Sequence, residues 1–173
     1  MCIRDRCILL RKSVHFSEIT ISDNVEILAV DVCVSQTKYR LIVVYRPPHS
    51  TATDKLYAAK LIDVLFSLGR VTWSVFIGED FNYPGINRDR FKAPADNVQD
   101  LFLQFTLSSG FSQLVNEPTR QDNILDLVLC NEPLLISSVD IQSPTGKSDH
   151  ASVMFQFSTR CTLPHAPQYN IEY

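Results

Sequence analysis

Apolar residues along the chain follow the period of two that is typical of strands and, elsewhere, the period of a helix. Between Val25 and Val34 apolar and polar residues alternate, which predicts a strand with one buried face. The run from Tyr39 to Tyr45 is rich in β-branched residues and predicts a central strand. Because only a short turn at 36–38 separates these runs, we expect them to form an antiparallel hairpin.

Two other segments carry apolar residues at helical spacing. The first predicts a helix that begins at Thr53 or Asp54 and extends to about Leu68. The second predicts a helix that begins at Asp96 and is closed by Gly110, since glycine is the usual residue after a helix C-terminus.

The remaining apolar runs are short and predict further strands. They lie at 7–14, 73–77, 111–115, 125–130, 135–141 and 151–157. The resulting order is strands, helix, strand, helix and strands. This order is typical of a mixed α/β domain with a largely antiparallel β layer, and it differs from a regular βαβ alternation.

Composition places the 173-residue chain among ordinary globular proteins, with 45% hydrophobic and 20% charged residues. The formal net charge is -3, so nucleic-acid binding would require a local basic patch. Five widely spaced cysteines without a CxxC pair argue against a zinc site or a disulfide framework, and favour reduced thiols inside a cell. No apolar run approaches the length of a membrane span, and we expect no membrane partner.

An acid and an amide follow the apolar run Val75–Ile77. We expect Gly78 to end that strand and allow a sharp turn, which places Asp80 and Asn82 at its mouth. Residues two apart in an extended segment point the same way, so the two side chains can act on the same group. A solvated turn remains an alternative, because all these residue types are common in turns.

Four further polar residues stand at or near strand ends: Tyr45, Thr119, Asp126 and His150. Each also has a simpler interpretation, as a strand-end tyrosine, a proline–threonine turn, a solvent-facing aspartate or a loop histidine. Asp126 is the sharpest signal, since a carboxylate within an apolar strand is costly unless it is paired. We therefore expect Asp126 to have a partner side chain. Together the side chains suit metal-assisted attack of water on a phosphodiester.

Four motifs occur in a fixed order along the chain. They are YRPP at 45–48, GEDFN at 78–82, PTR with LDLV at 118–128, and SDH at 148–150. With this series the chain resembles the endonuclease/exonuclease/phosphatase superfamily. It is most similar to the apurinic-type endonuclease domain of non-LTR retrotransposons of the LINE or jockey-like kind.

The resemblance implies an α/β (α+β) fold, a four-layer sandwich of two packed, mixed, largely antiparallel sheets flanked by helices. It places a partial domain at 7–158, with its first strands missing, and a linker towards an absent reverse transcriptase at 159–173. Residues 1–6, MCIRDR, show no periodicity, and we expect them to be an artefactual extension.

The resemblance also implies DNA nicking that depends on Mg²⁺ (or Mn²⁺) and frees a 3′-hydroxyl to prime reverse transcription. DNA, a C-terminal reverse transcriptase domain and the element RNA would be the partners, and the protein would be intracellular and act in the nucleus. Two alternatives stay open, another phosphoesterase of the same fold and a non-catalytic, truncated remnant. Because the family's early asparagine and metal-binding glutamate have no counterpart here, we expect this chain to cut DNA poorly or not at all.

Residue roles follow from the resemblance by position. Asp80 would activate the attacking water and Asn82 would orient the phosphate. His150 would contact the scissile phosphate, and Asp126 would orient its imidazole ring. Tyr45 would hydrogen-bond the phosphate. We expect these five residues to converge at one mouth of the sandwich.

The resemblance assigns the rest of the site more loosely. Thr119 would support the phosphate pocket, and Asp149 would lie in the metal region. A local basic surface for the DNA backbone would consist of Arg46, Arg88, Arg90, Lys92, Arg120 and Lys147. Glu79 departs from the family pattern, which has glycine there, and its charge is expected either to remain in solvent or to raise the pKa of Asp80.

Overall fold

The computed structural model describes residues 2–3, 6–22, 24–47, 52–87, 92–95 and 98–159. The expectations for Arg88, Arg90 and the Asp96 helix start, and for the linker from 160 onward, lie outside these ranges. Strands in the described ranges are β1 (Cys2–Ile3), β2 (Arg6–Cys7), β3 (His15–Ile19), β4 (Ile27–Val34), β5 (Thr37–Val44), β6 (Ser74–Asp80), β7 (Ser112–Gln113), β8 (Asp126–Cys130), β9 (Ile136–Gln142) and β10 (Ser152–Phe157). The helices are α1 (Ala52–Gly69), α2 (Val98–Ser108) and a 3-10 turn at Pro133–Leu135.

A six-stranded mixed sheet in the order β3-β4-β5-β6-β8-β7 forms the centre of the fold. β5 and β6 pair in parallel and the other neighbours are antiparallel. The expected β4–β5 hairpin is confirmed. The two turn residues, Ser35 and Gln36, adopt φ values of 49° and 65°. Two successive left-handed residues give a turn whose twist matches that of the flanking strands in a two-residue hairpin.

Both α-helices cover one face of this sheet with the side that carries their apolar residues. Leu61 and Leu65 of α1 and Phe102 of α2 pack with Ile77 and Leu129 of the sheet in one buried core. The crossover through α1 provides the long connection that the parallel β5–β6 pair requires. Neither helix in the described ranges is long and apolar enough to cross a membrane.

The hairpin β9–β10 covers the opposite face as a separate two-stranded sheet. Phe76 of β6 lies 5.7 Å from the ring of Phe155 and 4.8 Å from that of Phe157. These contacts hold the two sheets face to face, so the expected α+β sandwich fold is confirmed. The described residues form three layers of it: helices, the large sheet and the small sheet.

Two strand boundaries differ from those expected. The sequence predicts a strand over 7–14, whereas the regular strand in this region is β3, which pairs with the edge of β4. Gly78 does not end β6, because it pairs with Val43 on one side and Val128 on the other. The turn comes later, at Asn82, which adopts φ 49°.

A buried ion-pair cluster lies towards the other end of β4 and β5. Asp31 is 6% exposed and accepts bonds of 2.7 and 3.0 Å from Arg40, and Lys38 approaches it at 2.9 Å. Arg40 also donates to the carbonyl of Leu68 at the end of α1. Lys38 lies 4.1 Å from the centre of the Trp73 ring, a cation–π distance. The cluster therefore ties the central hairpin to α1 and to the start of β6.

Replacing Tyr39 with phenylalanine is expected to leave the free energy of unfolding unchanged or to raise it by about 1 kcal/mol. Tyr39 is fully buried between the sheets, and its hydroxyl has no hydrogen-bond partner among the described residues. Phenylalanine keeps the edge-on contact with Phe157 and removes the desolvated hydroxyl. Urea unfolding of both proteins measures the difference. A loss of stability above about 1 kcal/mol would contradict the prediction.

Candidate active site

A cavity of about 650 Å³ opens between the two sheets at the ends of β5, β6 and β8. Tyr45, Asp80, Asp126 and His150 all line it, although they come from four separate segments of the chain. The floor includes Gly78, whose missing side chain leaves space beside the two aspartates. The predicted convergence of these residues at one mouth of the sandwich is confirmed for these four.

Asp80 occupies the last position of β6, directly across from Asp126 on β8. Burial raises the pKa of Asp80, and the nearby negative charge of Asp126 raises it further. The hydrogen bond from Asn82 and the positive charges of His150 and Arg120 oppose this rise without cancelling it. The site therefore contains a carboxylate that binds a proton more readily than an ordinary aspartate does.

Asn82 holds this carboxylate at both oxygen atoms. Its backbone N–H donates to Asp80 Oδ1 at 2.9 Å, and its side-chain Nδ2 donates to Oδ2 at 2.7 Å. The same Nδ2 donates to the carbonyl of Arg46 at 3.1 Å. The left-handed backbone of Asn82 makes this arrangement possible, and asparagine tolerates that conformation well. The amide nitrogen thus positions Asp80.

His150 and Asp126 form the predicted pair. Nδ1 of His150 lies 2.8 Å from Oδ2 of Asp126, and the two side chains are 20% and 17% exposed. A carboxylate at Nδ1 favours the proton on that nitrogen and leaves Nε2 as the nitrogen for a ligand. Pairing also explains how a carboxylate is tolerated at the start of the apolar strand β8.

Thr119 joins the backbone segments that carry Asp126 and His150. Its hydroxyl accepts bonds of 3.0 Å from the backbone N–H groups of Leu125 and Asp126. Its carbonyl accepts a bond of 2.7 Å from Ala151, the residue after His150. Thr119 is only 2% exposed, so it supports the pocket through the backbone and not through contact with a phosphate.

Arg46 is the clearest correction to the expected basic surface. It is 3% exposed, because its guanidinium donates to the carbonyl of Asn82 and lies 4.5 Å from the centre of the Tyr83 ring. A side chain buried in this way is not accessible to the DNA backbone. Lys92 and Lys147, which also belong to the expected basic surface, are exposed. The side chain of Glu79 lies outside the described residues, so the expectation for its charge stays a prediction.

Arg120 and Asp149 bond to each other at the rim of the cavity. Nη2 and Nε of Arg120 lie 2.6 and 2.9 Å from Oδ2 of Asp149, and both side chains are exposed. The hydrogen bond from Arg120 lowers the pKa of Asp149. The two residues expected to bind phosphate and metal therefore neutralise one another in part, a pairing that no local sequence signal indicates.

The described residues do not fit a bound divalent cation. Among them there is no group of three or more His, Cys, Asp or Glu side chains that could hold a metal ion. Asp149, the expected ligand, is committed to Arg120, while Asp80 and Asp126 are bonded to Asn82 and His150. Mg²⁺ requires a nearly ideal shell of oxygen ligands, which this arrangement does not supply.

Solved structures with this fold come from several classes of phosphoesterase. The endonuclease domain of TRAS1, a telomere-specific non-LTR retrotransposon, matches with a TM-score of 0.66 at 16% identity, over 88% of this chain and 73% of that chain. A 3′-5′ exonuclease from Neisseria meningitidis matches at 0.58 and 15% identity, over 85% and 71%. An endonuclease/exonuclease/phosphatase family protein from Leptotrichia buccalis matches at 0.56 and 12% identity, over 86% and 61%.

Identities this low establish the shared fold and not a shared substrate. No curated protein sequence matches the chain. A family model described as endonuclease-reverse transcriptase does match, over residues 39–154, and this range contains Tyr45, Asp80, Asp126 and His150 of the cavity. Because that match covers more than half of the sequence, the chain belongs to the endonuclease-reverse transcriptase family of the endonuclease/exonuclease/phosphatase fold.

Proposed function

We propose that this domain is the DNA endonuclease of a non-LTR retrotransposon, and that its nick primes reverse transcription. The observation that carries the proposal is the Asp126–His150 pair facing Asp80 across one cavity. The proposed partners are DNA, a reverse transcriptase domain of the full-length protein and the element RNA. The proposed place of action is the nucleus, where chromosomal DNA is the target.

In this proposal each side chain has a role that its contacts support. Asp80 takes a proton from the attacking water, a task suited to a carboxylate whose pKa is raised by burial. His150 presents Nε2 to the scissile phosphate, with its ring fixed by Asp126. Tyr45 lines the same cavity and donates its phenolic proton to a phosphate oxygen.

Dependence on Mg²⁺ or Mn²⁺ is proposed from the family resemblance alone. Because the described residues do not fit a cation, no catalytic step is assigned to one. The proposal is that nicking stops in excess EDTA and returns when either metal is added. Equal nicking in EDTA and in Mg²⁺ would remove the metal from the proposal and leave the roles of the three residues intact.

The test of the endonuclease proposal is conversion of supercoiled plasmid to the open-circular form by the purified chain. A DNA polymerase that extends only 3′-hydroxyl ends then shows whether the nick can serve as a primer. Nicked plasmid that the polymerase extends supports the proposal. Nicks that require a phosphatase before extension would overturn the priming step, and intact plasmid at all enzyme concentrations would overturn the endonuclease proposal for this chain.

A non-catalytic domain is the second candidate, and the Arg120–Asp149 bond favours it. That bond uses the carboxylate expected to serve a cation, and a hydrolytic centre without its charge-neutralising ion is weak. Such a domain would bind DNA without cutting it. Plasmid that shifts in a gel while remaining supercoiled identifies this outcome.

As the pH is lowered, the nicking rate is expected to fall at a higher pH than it would if the base were an aspartate with its usual pKa. Asp80 acts as a base only when ionised, and burial together with Asp126 raises its pKa. Activity is therefore present above the raised pKa and is lost as the pH falls through it. Single-turnover rates across a pH series measure the midpoint. A rate that stays level down to about pH 4 would contradict the prediction.

A further inference from the structure

We propose that Arg46 is a positioning residue, which holds the Asp80 carboxylate in place through Asn82. This inference rests on the proposed function in one respect, since it gives Arg46 a task within that site. Its geometry and its main test do not depend on whether the chain cuts DNA.

Arg46 and Asn82 are bonded to each other in both directions. Nη1 of Arg46 donates to the carbonyl of Asn82 at 3.1 Å, and Nδ2 of Asn82 donates to the carbonyl of Arg46 at 3.1 Å. A third bond runs from the Arg46 backbone N–H to the carbonyl of Asp80 at 2.9 Å. The segment that follows β5 is thereby fixed to the turn that follows β6.

The turn held in this way carries the two donors of the Asp80 carboxylate. Both come from Asn82, whose backbone is left-handed. That conformation is uncommon outside glycine and persists when surrounding contacts fix it. The guanidinium bond to the Asn82 carbonyl is such a contact, because it fixes the peptide plane that follows Asn82.

An aromatic stack also holds the Arg46 side chain in place. The guanidinium carbon of Arg46 lies 4.5 Å from the centre of the Tyr83 ring, and that ring stacks on Phe102 of α2 at 4.7 Å. The chain of contacts therefore runs from the helical layer to the floor of the cavity. A planar guanidinium can stack and donate at the same time, whereas a lysine ammonium lacks the flat face.

Burial of this charge distinguishes a positioning role from simple packing. A cation that is 3% exposed is costly to desolvate, and an apolar side chain would fill the same space at lower cost. Arginine in this place supplies a bond to the turn that an apolar side chain could not make. Four other side chains also face Asp80: Asp126, His150, Arg120 and Tyr45. A variant in which only Arg46 is replaced keeps all four of these residues.

The test compares Arg46→Met with Arg40→Met in the 173-residue chain. Arg40 is the matched control, because it also approaches an aromatic ring and donates to a backbone carbonyl, but in the Asp31 cluster. Proteins labelled with ¹³C at the aspartate carboxyl groups are titrated by NMR, and Asp80→Asn identifies the Asp80 signal. The hydrogen bonds from Asn82 favour the ionised form, so their loosening raises the pKa of Asp80.

The expected result is an upward shift of the Asp80 midpoint by about half a unit or more in Arg46→Met, and no shift in Arg40→Met. Thermal unfolding of each variant establishes that it is folded at the titration temperature. The milder Arg46→Lys, which keeps the charge but not the stack, is expected to give a smaller shift in the same direction. An unchanged Asp80 midpoint in either folded Arg46 variant, or an equal shift in the Arg40 control, would overturn the proposal.

Nicking rates provide the second readout where the wild-type chain is active. Arg46→Met is expected to lower kcat about 10-fold while KM changes less than about 2-fold, because a misplaced base slows chemistry without removing a substrate contact. An unchanged kcat would overturn the inference and leave the endonuclease proposal standing. A wild-type chain that does not nick DNA would fail the proposed function, and the NMR titration would still decide the role of Arg46.

Discussion

Replacing His150 with alanine is expected to slow DNA nicking by about 10²–10⁴-fold, the range typical for loss of a positioned acid–base group. The imidazole lines the cavity, and its Nδ1 is held 2.8 Å from Asp126, so Nε2 keeps one direction. Alanine removes the group that reaches the phosphate and leaves Asp126 without its partner. Single-turnover nicking of plasmid measures the loss directly.

His15→Ala is the matched control for this prediction. His15 lies in the exposed edge strand β3 and pairs with Cys33, at the end of β4 away from the cavity, so its loss is expected to change the rate less than about 2-fold. Asp126→Ala is expected to lower the rate as strongly as His150→Ala, and the double variant to lose little more, because the two residues act as one unit. If the loss of rate in the double variant equals the product of the two single losses, the two residues do not act as one unit.

The largest expected effect on stability comes from Asp31. Asp31→Ala is expected to lower the free energy of unfolding by about 3 kcal/mol, because it leaves Arg40 buried without the carboxylate that compensates its charge. Arg40 is 12% exposed and cannot turn to solvent without breaking its bond to Leu68. Urea unfolding followed by tryptophan fluorescence suits the measurement, since Trp73 lies beside Lys38 and Arg40.

The control for Asp31 is Lys38→Ala. The Lys38 side chain is 46% exposed, so removing it is expected to cost less than about 1 kcal/mol. Burial alone would raise the pKa of Asp31, but hydrogen bonds from Arg40 and Lys38 outweigh it and hold the pKa below its usual value. The stabilisation by Asp31 is therefore present above the unfolded-state pKa and is lost as the pH falls through the lower folded-state pKa. If the wild-type protein still has a higher free energy of unfolding than Asp31→Ala in strong acid, this account is contradicted.

The need of Asp126 for a partner could be predicted from local sequence, because a carboxylate within LDLVLC is costly unless it is paired. The choice of His150, which lies 24 positions away, came from the family resemblance. The helices and the β4–β5 hairpin could be predicted for a similar reason, since period and turn length determine them. These elements depend on residues close together in the sequence.

Other features could not be predicted because they depend on how the layers stack. β4 was expected to have one buried face, yet Leu28 and Ala29 are both buried, since the hairpin β9–β10 covers one face and the helices the other. The inward orientation of Arg46 had a faint signal, as it follows Ile42 and Val44 at a spacing of two. Its place within the YRPP motif at a strand end nevertheless suggested a surface role. The Arg120–Asp149 bond joins positions 29 apart and has no signal in either segment.

The separate pairing of β9 with β10 has a consequence for cooperativity. His150 precedes β10, and this hairpin is held to the large sheet by apolar side-chain contacts and by hydrogen bonds at His150 and Ala151, and not by a shared strand ladder. Sheets joined in this way can part with a smaller free energy than global unfolding requires. Such sub-global opening would separate the imidazole from Asp80 while the six-stranded sheet stays protected from hydrogen exchange. The fraction of molecules competent for chemistry is then set by the docking of one hairpin, independently of how stable the rest of the domain is.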